Sequence, residues 1–172
     1  MNARTLVLLR HAKAETPGDQ LDFDRRLTTT GEADADAAGS WLADERIQPD
    51  LVFCSPAART RQTWHGAAVA LEQAHPGAGS PEVRYEKTLY FGGRTEVFDL
   101  LRTVPDSVRT VLVVGHNPTM SEVSFLLVPD EDFDGKQVEL KTAGLAVHRT
   151  EGSWSSAEPG SMTLIERHTA RG

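Results

Sequence analysis

The sequence predicts an α/β fold, a mostly parallel sheet with helices on both faces in three layers. Three observations carry this expectation. The runs Thr5-Leu6-Val7-Leu8-Leu9, Leu51-Val52-Phe53-Cys54 and Thr110-Val111-Leu112-Val113-Val114-Gly115 are short, continuous and apolar, as central strands covered on both faces are. Segments with apolar residues at helical spacing lie between them. The 172 residues, 39% apolar and 25% charged, contain no repeat, low-complexity tract or linker, so one domain over 1–172 is expected, ending in a β-rich stretch.

The first strand stops at Arg10 and His11, and a polar loop follows through Lys13, Glu15, Pro17, Gly18 and Asp24. Thr29-Thr30-Gly31-Glu32 fits a capping box with Thr29 as N-cap, and Ala33, Ala37, Ala38, Trp41 and Leu42 extend a helix over about 30–45. The second strand runs into Ser55-Pro56, and proline suits a first helical turn, where its missing N–H is not needed. That helix carries Trp64, Ala67, Ala68 and Leu71 and ends near Pro76-Gly77. A weaker strand over about 82–88 and a short helix over 95–103 come next. The run from Thr110 is the strongest strand and leads to His116, then to Asn117 and Pro118 as N-cap and first residue of a helix to about Val128. Two late strands, about 137–149 and 161–168, flank a loop of hairpin composition, 151–160.

Composition excludes several functions. With 18 basic and 25 acidic side chains the net charge is −7, which repels nucleic acid and anionic membranes, so neither is an expected partner. Any anion must be drawn by a local basic pocket. The single cysteine, Cys54, cannot form an internal disulfide, and no Cys/His spacing resembles a zinc site, so no metal is expected. Neither G-x-x-x-x-G-K-[ST] nor G-x-G-x-x-G occurs, and no cofactor is expected. The apolar run before Arg10 is too short for a signal-peptide core and nothing approaches a membrane span, so a cytoplasmic location is expected.

The strand ends carry the chemistry. The first ends Leu9-Arg10-His11, the second Cys54-Ser55-Pro56 with Arg59 one turn into its helix, and the strongest Gly115-His116-Asn117. In open parallel sheets ligands bind beyond the carboxyl ends of strands, so two histidines and two arginines should meet there. Arginine forks grip phosphate oxygens, a neutral imidazole is a competent nucleophile, and a second imidazole can donate to the oxygens of a phosphoryl group in transfer.

These residues also carry a resemblance. Leu9-Arg10-His11-Ala12, Ser55-Pro56-Ala57-Ala58-Arg59-Thr60-Arg61-Gln62-Thr63 and Gly115-His116-Asn117-Pro118 resemble the three signature elements of the histidine phosphatase (phosphoglycerate mutase-like) superfamily. Arg10-His11-Ala12-Lys13-Ala14, Asp24-Arg25-Arg26-Leu27-Thr28 with Gly31, and Lys141-Thr142-Ala143-Gly144 resemble its SixA-type phosphohistidine phosphatases. The resemblance implies that His11 is the nucleophile and becomes a phosphohistidine, that Arg10 and Arg59 bind phosphate, and that His116 completes the pocket. It places Arg25 on the rim, and it implies no metal.

One departure is informative. Larger members carry an acid that protonates the leaving oxygen, in a long insertion ahead of the second-histidine strand. Only residues 74–109 are available here, with aromatics at Leu89-Tyr90-Phe91 where that carboxylate would be sought, and Glu86 and Glu96 are weak candidates. A short or absent lid and a missing acid suit a leaving group that departs readily, such as phosphohistidine on a protein partner, for example a histidine-containing phosphotransfer domain. The alternatives are a phosphomonoesterase acting on a small phosphate ester and a non-catalytic phosphate-binding module.

Other residues have ordinary readings. Arg26 and Lys13 are solvated or ion-paired charges, and Arg25 is open to that reading too. His65, His75, His148 and His168 show no partner pattern, Trp41 and Trp64 lie on apolar helix faces, and Thr142 is a strand threonine that at most approaches the pocket. Cys54 lies inside an apolar strand, and Arg59 comes one residue too early for a cysteine-phosphatase loop.

Overall fold

The computed structural model describes residues 3–172. Its strands are β1 (Arg4–Arg10), β2 (Leu51–Cys54), β3 (Glu82–Tyr85), β4 (Thr110–Gly115), β5 (Gly144–Thr150) and β6 (Thr163–Thr169). They form one sheet in the order β3-β2-β4-β1-β5-β6. The first four are mutually parallel, and β5 and β6 add an antiparallel edge beside β1. The helices are α1 (Thr29–Asp44), α2 (Ala58–Ala74), α3 (Thr88–Phe91), α4 (Arg94–Arg102) and α5 (Thr119–Leu127). This is the helix-flanked, mostly parallel sheet expected, and no long lid is present among the described residues.

The continuous apolar runs have a direct cause. Alternate residues of each central strand enter two separate cores. Leu6, Leu8, Phe53 and Val113 pack with α4 and α5 on one face, and Val7, Leu9, Val52 and Val114 pack with α1 and α2 on the other. Each fully buried aliphatic side chain contributes roughly 1.5–3 kcal/mol. Helices α1 and α2 approach closely at Gly39, where a Cβ would fall 2.2 Å from the Ala67 carbonyl oxygen.

Several boundaries differ from expectation. The N-cap of α1 is Thr28, not Thr29: its Oγ1 accepts from the Gly31 N–H at 3.0 Å. Gly31 stands three residues on, so no capping box forms, and a Cβ there would lie 2.0 Å from the Lys13 carbonyl. Pro56 lies ahead of α2 rather than in its first turn. Strand β3 stops at Tyr85 because the chain coils into α3, a turn that sequence reasoning missed. Helix α5 begins at Thr119 with Pro118 in the cap position, after a cis Asn117–Pro118 peptide. Asn117 Oδ1 nevertheless accepts from the Ser121 N–H at 3.2 Å and from its hydroxyl at 2.8 Å.

The late strand expected from about 137 begins only at Gly144. Ahead of it the Leu140 carbonyl accepts from Arg10 Nη1 at 3.0 Å and Asn117 Nδ2 at 2.8 Å. The chain then turns, with the Gly144 N–H donating to the Lys141 carbonyl at 2.8 Å and Ala143 at positive φ. Side chains and a turn thus take the backbone groups that a ladder would use. The hairpin loop buries Trp154, whose indole N–H donates to the Val108 carbonyl at 2.8 Å. Trp41 is only half-buried and stacks on His168 with ring centroids 4.7 Å apart.

His148 is fully buried; its Nδ1–H donates to the Met162 carbonyl and its Nε2 accepts from the Ser124 hydroxyl at 2.8 Å. Burial pushes this imidazole down from 6.5 to about 4. The unfolded chain takes up a proton below about pH 6.5 that the folded chain refuses until about pH 4. Stability therefore falls as pH descends through that window, by up to about 3 kcal/mol from this residue, and levels off below it. The expected result is a melting temperature that drops between pH 7 and 4, with a shallower drop in His148→Asn.

Candidate active site

The carboxyl ends of β1, β4 and β2 are level, since Arg10 pairs with Gly115 and Cys54 with Val114. The next residue after each end is therefore His11, His116 and Ser55. Backbone bonds extend the ladder by one step, His11 N–H to the Gly115 carbonyl and Ser55 N–H to the Val114 carbonyl, both at 3.0 Å. The histidine ring centroids lie 5.4 Å apart. An open cleft of about 340 Å³ is lined by Arg10, His11, Arg25, Arg59 and His116, so the structure brings all five sequence-predicted site residues together. Lys13 and Thr142 also line it. Glu86 and Glu96 do not, and the Glu96 carboxylate accepts from the Gly93 N–H at the start of α4 at 2.8 Å.

His11 is only 9% exposed. Its Nδ1 lies 2.7 Å from the Ala12 carbonyl oxygen, which can only accept, so Nδ1 carries the proton and Nε2 keeps a lone pair. Burial, with Arg59, Arg10 and Arg25 nearby, pushes the ring down to about 4. Burial, then Arg59 and His11, pushes His116 down to about 3. Both imidazoles are neutral at physiological pH.

The tautomer of His116 follows from Ser55, which is fully buried. Ser55 Oγ accepts from the Ala57 N–H at 3.4 Å and lies 2.7 Å from His116 Nε2. If the hydroxyl donates to Nε2, only the His116 Nδ1–H is left without a partner, and that atom is indeed buried and unpaired. The opposite tautomer would strand both the serine proton and the Nδ1 lone pair. His116 therefore holds an N–H without a partner, on a ring that lines the cleft.

The arginines are organised by a residue that sequence reasoning missed. Asp22, on a one-turn 3-10 helix, accepts from Arg59 Nη2 at 3.1 Å, Arg25 Nε at 3.0 Å and the Tyr90 hydroxyl at 2.7 Å. Its carbonyl also accepts from Arg59 Nη1 at 2.8 Å. The Tyr90 hydroxyl, then Arg25 and Arg59, hold this carboxyl well below the usual carboxylate range, while Asp22 raises Tyr90. The available signal was the i, i+3 spacing of Asp22 and Arg25, which begins two residues ahead of the Asp24-Arg25-Arg26-Leu27-Thr28 element. Nε of Arg10 and of Arg59 is buried without a partner, and burial lowers Arg10.

The spacing of Arg59 and Thr63 also has a local cause. Thr63, one turn further along α2, donates its hydroxyl to the Arg59 carbonyl at 2.7 Å and accepts from the Ala12 N–H at 3.0 Å, tying the arginine's helix to the segment after His11. The Lys141–Gly144 turn closes the other side, where the Ala143 N–H donates to the His11 carbonyl at 3.1 Å. Cys54 sits beneath, fully buried, and burial pushes its thiol up to about 12, too high for a nucleophilic thiolate.

Residues 6–80 match the family model of the histidine phosphatase superfamily (branch 1). A SixA-type structure from Nakamurella multipartitia is 35% identical, covers 99% of this chain and 98% of its own, and superposes with a TM-score of 0.84. The chain belongs to the histidine phosphatase superfamily. Within it the likeness is to the SixA-type branch, which a second structure from Agrobacterium tumefaciens extends at 30% identity, 95% and 97% coverage and a TM-score of 0.77. The protein histidine phosphatase SixA complexed with tungstate, 21% identical, shares the fold with a TM-score of 0.78 over 96% of each chain. An uncharacterized protein of Mycobacterium tuberculosis is 36% identical over 168 residues, 95% of this chain and 100% of its own length. The family match and the two SixA-type structures of 30% identity or more support a phosphatase. Among the described residues no helix is long and apolar enough to cross a membrane.

Proposed function

We propose that the protein removes phosphate from phosphohistidine on a protein partner through a phosphohistidine intermediate of its own. His11 Nε2 attacks phosphorus as the P–N bond to the substrate imidazole breaks. Water then attacks the His11 phosphoryl group, the new P–N bond breaks, and phosphate leaves with Nε2 restored. Arg10 and Arg59 bind the phosphoryl oxygens, Arg25 adds charge at the rim, and His116 Nδ1–H donates to an oxygen as charge redistributes. A phosphohistidine-bearing protein partner implies a cytoplasmic enzyme serving phosphotransfer signalling.

The observation that carries the substrate choice is the lining of the cleft, which contains no carboxylate. Two carboxylates stand just outside it: Asp22, hydrogen-bonded to Arg59, is held ionised and has no proton to give, and Glu139 accepts from Asn117 Nδ2 at 3.4 Å on the side of Arg10. An alkyl ester leaves as a strongly basic alkoxide unless an acid protonates it. A phosphohistidine protonated on its other ring nitrogen, with an ordinary pKa near 6.5, leaves as neutral imidazole and needs no enzyme acid. The small-ester alternative draws on Tyr90, a protonated phenol whose ring packs 5.7 Å from that of His116.

The test is phosphate release from a histidine-phosphorylated phosphotransfer domain and, separately, from a panel of alkyl phosphates. Release from the phosphoprotein at least about 10²-fold faster in kcat/KM is expected. Turnover confined to the esters would overturn the reading in favour of a phosphomonoesterase. Tight phosphate binding with no turnover of either would leave a binding module.

A further inference from the structure

The two most exposed large apolar side chains among the described residues, Phe91 at 78% and Leu21 at 71%, adjoin Tyr90 and Asp22, which contact His116 and Arg59 of this cleft. Leu21 immediately precedes Asp22 and Phe91 immediately follows Tyr90, and the Tyr90–Asp22 hydrogen bond joins their segments across 68 positions of sequence. Phe23 packs edge-on to Tyr90 at 5.2 Å, Tyr90 to Phe91 at 4.9 Å, and Tyr90 to His116 at 5.7 Å. A single exposed apolar residue needs no explanation. Two on segments tied together by a hydrogen bond, beside an aromatic wall that reaches the cleft, are what an interaction site presents.

We infer that Leu21, Phe23 and Phe91 form an apolar collar on which the phosphohistidine-bearing protein docks, an inference that rests on the function proposed above. The polarity is graded to match such a partner. Inside, the cleft presents Arg10, Lys13, Arg25 and Arg59 to an anionic phosphoryl group. Outside, the wall presents hydrocarbon, with the Tyr90 hydroxyl and the Asp22 carboxylate already bound to each other. A sugar phosphate would gain little from the hydrocarbon of Leu21 and Phe91, whereas a phosphohistidine emerging from an apolar protein face would bury it. Apolar anchors around a charged centre are the usual energetic core of a protein interface.

The test uses the double variant Leu21→Ser/Phe91→Ser, at exposed positions, with its melting temperature measured beside that of wild type. Three substrates are compared, a phosphotransfer domain charged on histidine, free phosphohistidine and an aryl phosphate. The expected result is a fall of about tenfold in kcat/KM for the phosphoprotein, carried by KM, with free phosphohistidine unchanged. An unaltered phosphoprotein rate, an equal loss on both histidine substrates, or a loss confined to the aryl ester each overturns the docking surface. So does a wild-type dimer that the variant dissociates without altering phosphoprotein kinetics, since the collar then covers a second copy. Wild type that hydrolyses free phosphohistidine but no phosphoprotein removes the proposed function and the collar together. Normal wild-type turnover with an indifferent variant removes the collar alone.

Discussion

His11→Ala lowers phosphate release on the order of 10⁴-fold or more and abolishes the phosphoenzyme, because no other group at the cleft offers a lone pair in the same place. His116 is turned the other way, with an N–H where His11 has a lone pair, and the Cys54 thiol stays protonated in its strand. The check is a rapid quench with labelled substrate at alkaline pH, where phosphohistidine survives. Wild type should trap an acid-labile label and the variant none. Losing the ring leaves the Ala12 carbonyl without its 2.7 Å partner, a cost of about 1 kcal/mol, so the variant should still fold. It should also still bind inorganic phosphate within a few-fold, since Arg10, Arg25 and Arg59 remain. Retention of more than about a hundredth of wild-type turnover would remove His11 from the nucleophile's role.

How far the sequence alone reaches depends on where each feature's cause lies. Strands β1, β2 and β4 are legible because burial on both faces writes itself as unbroken apolar runs, and the residues just past their ends inherit that legibility. His11, His116 and Arg59 meet because three strand ends are level in the ladder, which follows once the strands are placed side by side. Asp22 is not legible in the same way. It lies in a loop without periodicity, and its importance comes from ion pairs to Arg59, 37 positions away, and a hydrogen bond from Tyr90. The start of β5 misleads for a different reason. Val138 and Leu140 alternate with polar residues as a strand would, but Arg10 and Asn117 claim the Leu140 carbonyl and hold the segment out of the sheet. Side-chain capture of backbone groups leaves no mark in local pattern. The expected capping box of Thr29 and Glu32 fails because Thr28 is the cap, which puts Gly31 at the third helical position, where α1 passes within contact of the Lys13 carbonyl.

Ser55→Ala tests the least visible part of the site, a residue that acts only through another. In wild type the Ser55 hydroxyl occupies His116 Nε2 and forces the ring proton onto Nδ1. Without it, the ring can carry its proton on Nε2 and present a lone pair to a phosphoryl oxygen, replacing attraction by repulsion. A donor aimed at developing charge is worth roughly 10²–10³ in kcat, so His116→Ala should fall by that amount and Ser55→Ala by about tenfold or more, with little change in KM. The decisive measurement is the double variant. If Ser55 works by orienting the imidazole, Ser55→Ala/His116→Ala is no slower than His116→Ala alone, because the hydroxyl has nothing left to position. Additive losses would mean that Ser55 acts on substrate or fold independently. Nitrogen-15 spectra of the histidines add an observable that a purely structural serine would not move. The His116 signals should show Nδ1 protonated in wild type and shift toward the other tautomer in Ser55→Ala, while those of His11, fixed by the Ala12 carbonyl, stay in place.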